Sequence, residues 1–388
     1  MRPLEGYRVV ELGTWVAAPA ATTMLADWGA DVIKVEAPSG DPFRYTLKLV
    51  GKDIEAAPPF EADNRGKRSV VLDLREERDR ATMERLLERS DVFVTNMRPK
   101  ALERLGLDPE SVRARHPRLV VGTLTGYGWS GPDRDSAGYD VSAFWARSGI
   151  ASMLNPEGEA PPAIRPGMGD RAAASNLVAG VLAALLRRER TDEGGVVDVS
   201  LLRSGTYAIG NDLALQNYFG KRGRTRPRTE HETPLYNCYR ARDGRWFWLV
   251  ALEGDRHWPG LLEALGREDL GRDERFATAR SRGRHRRELI EILDDEFARR
   301  PLDDWAARFE TAHVWWAPVQ TLSEIVADPQ ADAIGAFVEQ PGMGGAPPLR
   351  TVAVPVGFWG VEDGPRAGAP VLGEHTAEVL GELGAPSA

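Results

Sequence analysis

The chain of 388 residues is 42% hydrophobic and 28% charged, the balance of a globular enzyme long enough for two or three domains. A formal charge of −8 argues against a general nucleic-acid binder, and no apolar run is long enough to cross a bilayer. One cysteine, Cys238, excludes an internal disulfide framework and a cysteine-built zinc site, and six scattered histidines show no metal-ligand spacing.

In chain order, MRPLEGYRVVEL enters a strand almost at once, with no signal-peptide pattern, so the expectation is a cytoplasmic protein without membrane contact. Strand Tyr7–Leu12, turn Gly13–Pro19, helix Ala20–Trp28 and strand Asp31–Glu36 form a right-handed βαβ unit. After an irregular excursion over 38–66 come strand Ser69–Leu74, amphipathic helix Glu76–Arg89 and strand Asp91–Thr95. Helices at Pro99–Leu105 and Pro109–Arg115 then precede strand Leu119–Thr125. This alternation predicts an α/β layer around a mostly parallel sheet.

The pattern turns helical from Asp170 to about Phe219, broken by the strand-like GGVVDVSLL. Residues 1–220 are therefore expected to form the N-terminal part of a large α/β domain, with a polar, Arg-rich linker at 221–232. Within a smaller α+β domain at 233–325, CYRARDGRWFWLVAL carries the Asp-Gly hairpin signal, and helices follow from about Trp258 to Trp305. Residues 326–388 return to the large domain through a strand at Arg350–Val356 and a final helix at Glu374–Leu383. Basic runs at 221–228 and 280–287 read as solvated surface, and Cys238 as a small packed residue. Lysines are few beside arginines, which disfavours a Schiff-base enzyme.

Two familiar signatures fail on context. Gly126, Gly128 and Gly131 spell G-x-G-x-x-G after a strand, but Pro132 and a polar run follow where a helix must begin. There is no phosphate-binding GxxxxGK[ST] loop and no GxSxG elbow. The stretch RPGMGDRAAASNLVAGVLAALLRRER poses the main question. Asp170 stands at the head of an apolar-periodic helix, and its carboxylate reads either as a helix cap or as a nucleophile.

Several long segments in fixed order bear on that choice. PLEGYRVVELGTWVAAPAATTMLADWGADVIKVEAPSGDPFR, NRGKRSVVLDLR, NMRPKALERLGL, GYGWSGPDRDSAGYD, GMGDRAAASNLVAGVLAALLRRERTDEGGVVDVSLL, WAPVQTLSEIVADPQ and PVLGEHTAEVLGELG span nearly the whole chain. Together they resemble the class III CoA-transferases, the family of formyl-CoA and carnitine CoA-transferases, and the related α-methylacyl-CoA racemases. The resemblance implies a Rossmann-like large domain built from N- and C-terminal parts, a smaller α+β domain, and a homodimer of two interlocked rings. It places the catalytic aspartate at Asp170, with coenzyme A and acyl-CoA as substrate and no permanently bound cofactor.

Arg104 falls where family members contact CoA phosphates and Arg98 beside it, although both also read as helix-surface arginines. Val16, Tyr139 and Gly169 are further expected contacts, and Arg65, Lys67 and Arg68 serve more as family markers than as ligands. The expected partners are an acyl-CoA and a small carboxylic acid, and the expected activity is CoA transfer through aspartyl anhydride and aspartyl-CoA thioester intermediates. Two alternatives stand beside it, a racemase and a catalytically silent CoA-binding subunit. The racemases carry a histidine where this chain has Tyr139, a poor base near neutrality, whereas Glu253 sits about where they carry a glutamate. Formyl-CoA transferases have a glutamine in the first βα turn and a run of glycines in the small domain. Here Val16 and ALEGD stand instead, which argues against formyl and oxalyl substrates. Oxyanion donors are expected near Gly167–Gly169 or at Glu253–Gly254. Trp246, Trp248, Trp258, Trp315 and Trp316 read as core and dimer packing or, alternatively, as an acyl pocket.

Overall fold

The computed structural model describes residues 1–49, 51, 57–156, 158–220 and 225–384, so the first part of the expected linker lies outside the described residues. The chain forms two compact units, one of Met1–Met153, Pro161–Arg222 and Pro329–Ala388, the other of Leu154–Ala160 and Gly223–Asp328.

The larger unit is organised by β1 (Arg8–Leu12), β2 (Asp31–Glu36), β3 (Arg68–Val71), β4 (Val92–Thr95), β5 (Val120–Thr125) and β6 (Gly195–Ser200), in spatial order β3-β2-β1-β4-β5-β6. Every pairing is parallel, with Val9 opposite Val32 on one side and Val92 on the other. β4 and β5 are buried at every residue, as strands covered on both faces must be. The period-2 pleat sorts neighbouring residues to opposite layers. Val9, Val32, Val92 and Val120 pack with helices Ala17–Asp27 and Met168–Thr191. Val10, Ile33, Phe93 and Val121 pack with helices Glu77–Glu88 and Thr376–Glu382.

That last helix brings the C-terminus back onto edge strand β3, where Val71 N–H donates to Thr376 Oγ1 at 3.1 Å. Beneath the sheet's other layer lies a buried ionic network. Lys34 Nζ donates to Glu11 Oε1 at 2.7 Å, and Lys67 Nζ donates to Glu11 Oε2 at 2.8 Å. All three side chains are fully buried. Burial would raise the Glu11 pKa, but the two ammonium groups hold it at about 2.

In the smaller unit, β7 (Tyr236–Arg240), β8 (Trp246–Val250) and β9 (Trp316–Pro318) form an antiparallel sheet, with the Asp-Gly turn between the first two. Its core is aromatic: Phe247 meets Phe297 edge-to-face at 4.9 Å, and Trp305 stacks on Phe309 at 5.8 Å. Trp258 is buried and Trp316 packs against this core, whereas Trp246, Trp248 and Trp315 are exposed. Cys238 lies half-buried on β7. The second basic run departs from the solvated-surface expectation at Arg282. Its buried guanidinium donates to Asp255 at 2.6 Å and to the Phe276 carbonyl at 2.8 Å. From the first run, Arg228 pairs with Asp294 at 2.6 Å. Among the described residues no helix is long and apolar enough to cross a membrane.

Candidate active site

In a doubly wound sheet the strand order reverses at one place, and the crevice beyond the carboxyl ends there is where ligands bind. Here the reversal falls between β1 and β4. The turns leaving those two strands are clamped together, because Asn96 accepts from Thr14 N–H at 3.0 Å and donates to the Thr14 carbonyl at 2.7 Å. Beyond β5 the chain crosses itself. A Cβ on Gly126 would stand 3.0 Å from Gly138 Cα, so only glycine permits the approach that brings Tyr139 and Asp140 back over the strand ends. Gly126 thus serves a backbone crossing, while Gly128 and Gly131 sit at positive φ in the loop that follows, where no helix begins.

The question about Asp170 resolves through a residue distant in sequence. The helix Met168–Thr191 has Gly167 as its N-cap, at φ 89°, and Asp170 is its third residue. Gly167 N–H donates to the Asp140 carboxylate at 2.7 Å, and Asp140 is buried. The cap is therefore supplied by Asp140, and Asp170 makes no cap bond of its own. The first i→i−4 bond runs from Arg171 N–H to Gly167 at 3.0 Å. The N–H groups of Gly169 and Asp170 take no backbone acceptor among the described residues.

Asp170 opens on a cavity of about 380 Å³ lined also by Thr14, Trp15, Asn96, Arg98, Gly126 and Tyr139. This cavity shares Thr14 and Met97 with a second, apolar one of about 390 Å³, walled by Leu12, Val35, Leu72 and Leu105 across the ends of β1 to β3. Of the expected residues, the structure thus brings Asp170, Arg98 and Tyr139 together. Val16 packs beside Gly167, within 3.7 Å of where a Cβ would stand. Gly169 is buried where a Cβ would lie 2.6 Å from Phe144 Cγ. Arg104 sits apart, exposed on the last turn of helix Pro99–Leu105, and does not line the cavity. Arg65 is spent on Asp27 at 2.7 Å, Lys67 on Glu11, and Arg68 on Asp31 at 2.6 Å. Glu253, in the other unit, is an exposed N-cap residue paired with Arg256 at 2.9 Å.

A helix start by itself favours an ionised carboxylate, but at Asp170 other effects outweigh it. Burial, then the charges of Asp140 and Asp63, push its pKa up to about 7 against a smaller opposing effect of Arg171. Asp63 went unnoticed in the sequence because it precedes the more distinctive NRGKRS. It is buried, its Oδ1 takes Arg171 at 2.8 Å, and its Oδ2 has no hydrogen-bond partner among the described residues. Burial raises its pKa to about 6 even with Arg171 and Lys67 beside it.

A carboxylate raised toward neutrality at the switch-point crevice of a doubly wound sheet, beside neighbouring polar and apolar cavities, is the arrangement of an α/β enzyme site. Residues 4–376 match CoA-transferase family III. The chain is 34% identical to cinnamoyl-CoA:phenyllactate CoA-transferase of Clostridium sporogenes, over 98% of this chain and 93% of that protein. It is 33% identical to (R)-2-hydroxy-4-methylpentanoate CoA-transferase of Clostridioides difficile, covering 98% and 95%. A CAIB/BAIF family protein from Brucella suis has the same fold, with a TM-score of 0.87 at 31% identity, covering 98% of this chain and 99% of that one. The chain belongs to CoA-transferase family III and is an enzyme of that class.

Proposed function

We propose that Asp170 is the nucleophile of CoA transfer from an acyl-CoA to a carboxylic acid, carrying first the acyl group and then CoA. One observation supports this above the rest: the carboxylate faces the crevice while another residue caps its helix. The Asp170 carboxylate attacks the thioester carbonyl carbon, and the C–S bond breaks to release CoA thiolate and leave an acyl-aspartyl anhydride. The thiolate then attacks the aspartyl carbonyl carbon, expelling the donor acid as a carboxylate and forming an aspartyl-CoA thioester. The acceptor carboxylate attacks that thioester, releases thiolate and forms a second anhydride. Thiolate attack on the acceptor's acyl carbon yields the new acyl-CoA and restores Asp170. The anhydride conserves the activation of the thioester, so no further energy source enters.

Each addition develops an oxyanion. The N–H groups of Gly169 and Asp170, which take no acceptor among the described residues, are the donors nearest in sequence to the reacting oxygen. Gly167 N–H, already given to Asp140, drops out of that role. In this reading the nucleotide end of CoA occupies the apolar cavity across β1 to β3 and the thioester reaches Asp170 past Thr14 and Met97, which line both cavities. Arg98, which lines the Asp170 cavity, and exposed Arg104, whose neighbour Leu105 lines the apolar one, are the proposed planar bidentate donors to the phosphates. An interlocked homodimer is the proposed working form, which sedimentation checks. A racemase would need a base able to trade protons near neutrality beside the α-carbon, and Tyr139 lines the cavity where that branch carries its histidine.

Exposure to a panel of acyl-CoAs, hydroxylamine trapping and mass spectrometry test the reading. The expected product is a hydroxamate on the peptide containing Asp170. Exchange of the α-proton without an adduct would replace the transferase reading with the racemase one, and CoA binding with neither would leave a silent subunit.

A further inference from the structure

The turn after β1 contains a conflict between backbone and side chain. Trp15 has φ 64°, in the left-handed region that glycine occupies freely and bulky residues avoid. Such a conformation persists only where its surroundings over-determine it. They do so here. Asp41 Oδ1 accepts Trp15 N–H at 3.0 Å, and Asn96 grips Thr14 on both its N–H and its carbonyl. Lys34 donates to the Gly13 carbonyl at 3.0 Å and pairs with Asp41 Oδ2, also at 3.0 Å. The buried ionic network therefore ends in the shape of this one turn. A turn needed only for its backbone would be met by glycine. The largest side chain at this place implies that the direction of the indole is what the turn serves.

That direction is into the cavity of Asp170. The indole rests on Phe43 at 6.1 Å and meets Tyr139 edge-to-face at 6.2 Å, and both Trp15 and Tyr139 line the cavity. Ala17, Leu124 and Leu201 complete an apolar wall. Arg171, the cation adjoining Asp170 in sequence, is held by Asp63 at 2.8 Å. The cavity's own arginine, Arg98, is the one the transfer reading commits to the CoA phosphates, so a second carboxylate on the substrate would meet aromatic edges beside Trp15.

Taking the transfer reading as its basis, we infer that Trp15 is the specificity-determining residue of this site, and that it selects acyl groups with an aromatic or branched apolar side chain over short-chain and dicarboxylic ones. The indole and Tyr139 shield such a side chain from water while its thioester carbon lies at Asp170.

The test compares 3-phenylpropionyl-CoA and 4-methylpentanoyl-CoA with acetyl-CoA and succinyl-CoA, in wild type, Trp15→Gly and Trp15→Phe. Transfer is read as kcat/KM, and binding by titration with ketone analogues in which a methylene replaces the thioester sulfur. Wild type should favour the phenyl and branched groups by about tenfold or more in both readouts. Trp15→Gly should bring the ratios to within about twofold of unity, and Trp15→Phe should keep most of the preference. Because glycine relieves the left-handed strain, Trp15→Gly should also melt no lower than wild type. A wild-type preference for succinyl-CoA, or ratios unmoved in Trp15→Gly, would overturn the inference. So would an equal loss for all substrates accompanied by a lower Tm, which marks a purely structural role. If no hydroxamate forms on Asp170 the covalent reading fails, and the binding ratios still decide the role of Trp15.

Discussion

Replacing Asp170 by Asn should abolish transfer and at the same time stabilise the protein, in a pH-dependent way. The carboxyl titrates at 3.8 in the unfolded chain and at about 7 in the folded one. That gap disfavours the ionised native form by roughly 4 kcal/mol. The free first-turn N–H groups oppose it with about 0.3–1 kcal/mol. A raised carboxyl pKa means that the native state holds a proton the unfolded chain has lost. Stability from this group is complete below about pH 4 and declines as pH rises, levelling off above about pH 7. The amide has no such dependence. The advantage of Asp170→Asn over wild type should therefore widen by roughly 2–3 kcal/mol between pH 5 and pH 8. Denaturant titrations of both proteins across that range measure it, and the titrations of all other groups cancel in the difference to first order. A gap that stayed constant or narrowed with pH would refute the account of Asp170 as a residue held against its charged form.

Three further outcomes follow from the same geometry. Asp140→Asn keeps an oxygen to accept Gly167 N–H but removes a charge that raises Asp170, so the acid limb of kcat/KM should move below its wild-type position near pH 7. An unmoved limb would separate Asp140 from the electrostatics of the site. Gly169→Ala places a Cβ 2.6 Å from Phe144 Cγ, so it should cost about 1–3 kcal/mol on denaturation. It should also lower kcat by about tenfold or more through a displaced helix start. Lys67→Met strips Glu11 of one of its two cations and should destabilise the protein by about 3–5 kcal/mol, and a loss below about 1 kcal/mol would count against the network.

The sheet was legible in the sequence because its central strands are largely apolar runs, buried on both faces and separated by helical repeats. The same rules misplaced the start of helix Met168–Thr191. An Asp before an apolar helix suggests a cap, but the cap comes from Asp140, 27 residues away from Gly167, and no local pattern encodes a bond of that kind. Trp15 was invisible for a related reason: a left-handed tryptophan contradicts local propensity and is held there by Asp41, Asn96 and Lys34 from three other segments. Arg282 was misjudged as solvated because a run of like charges conceals the one member that finds a buried partner. The polar residues that matter most here draw their meaning from tertiary neighbours, which the hydrophobic pattern does not report.

The return of the C-terminus to β3 has a consequence for how the molecule is made. Ser69 on that strand waits for His375, 306 residues later, to complete its hydrogen bonding. A growing chain therefore leaves the ribosome with an unprotected sheet margin throughout nearly all of translation, while the intervening unit emerges whole. Nascent molecules truncated before Thr376 should be the species that chaperones retain and that self-associate through β3, and a separately supplied peptide of the closing helix is the natural agent to release them.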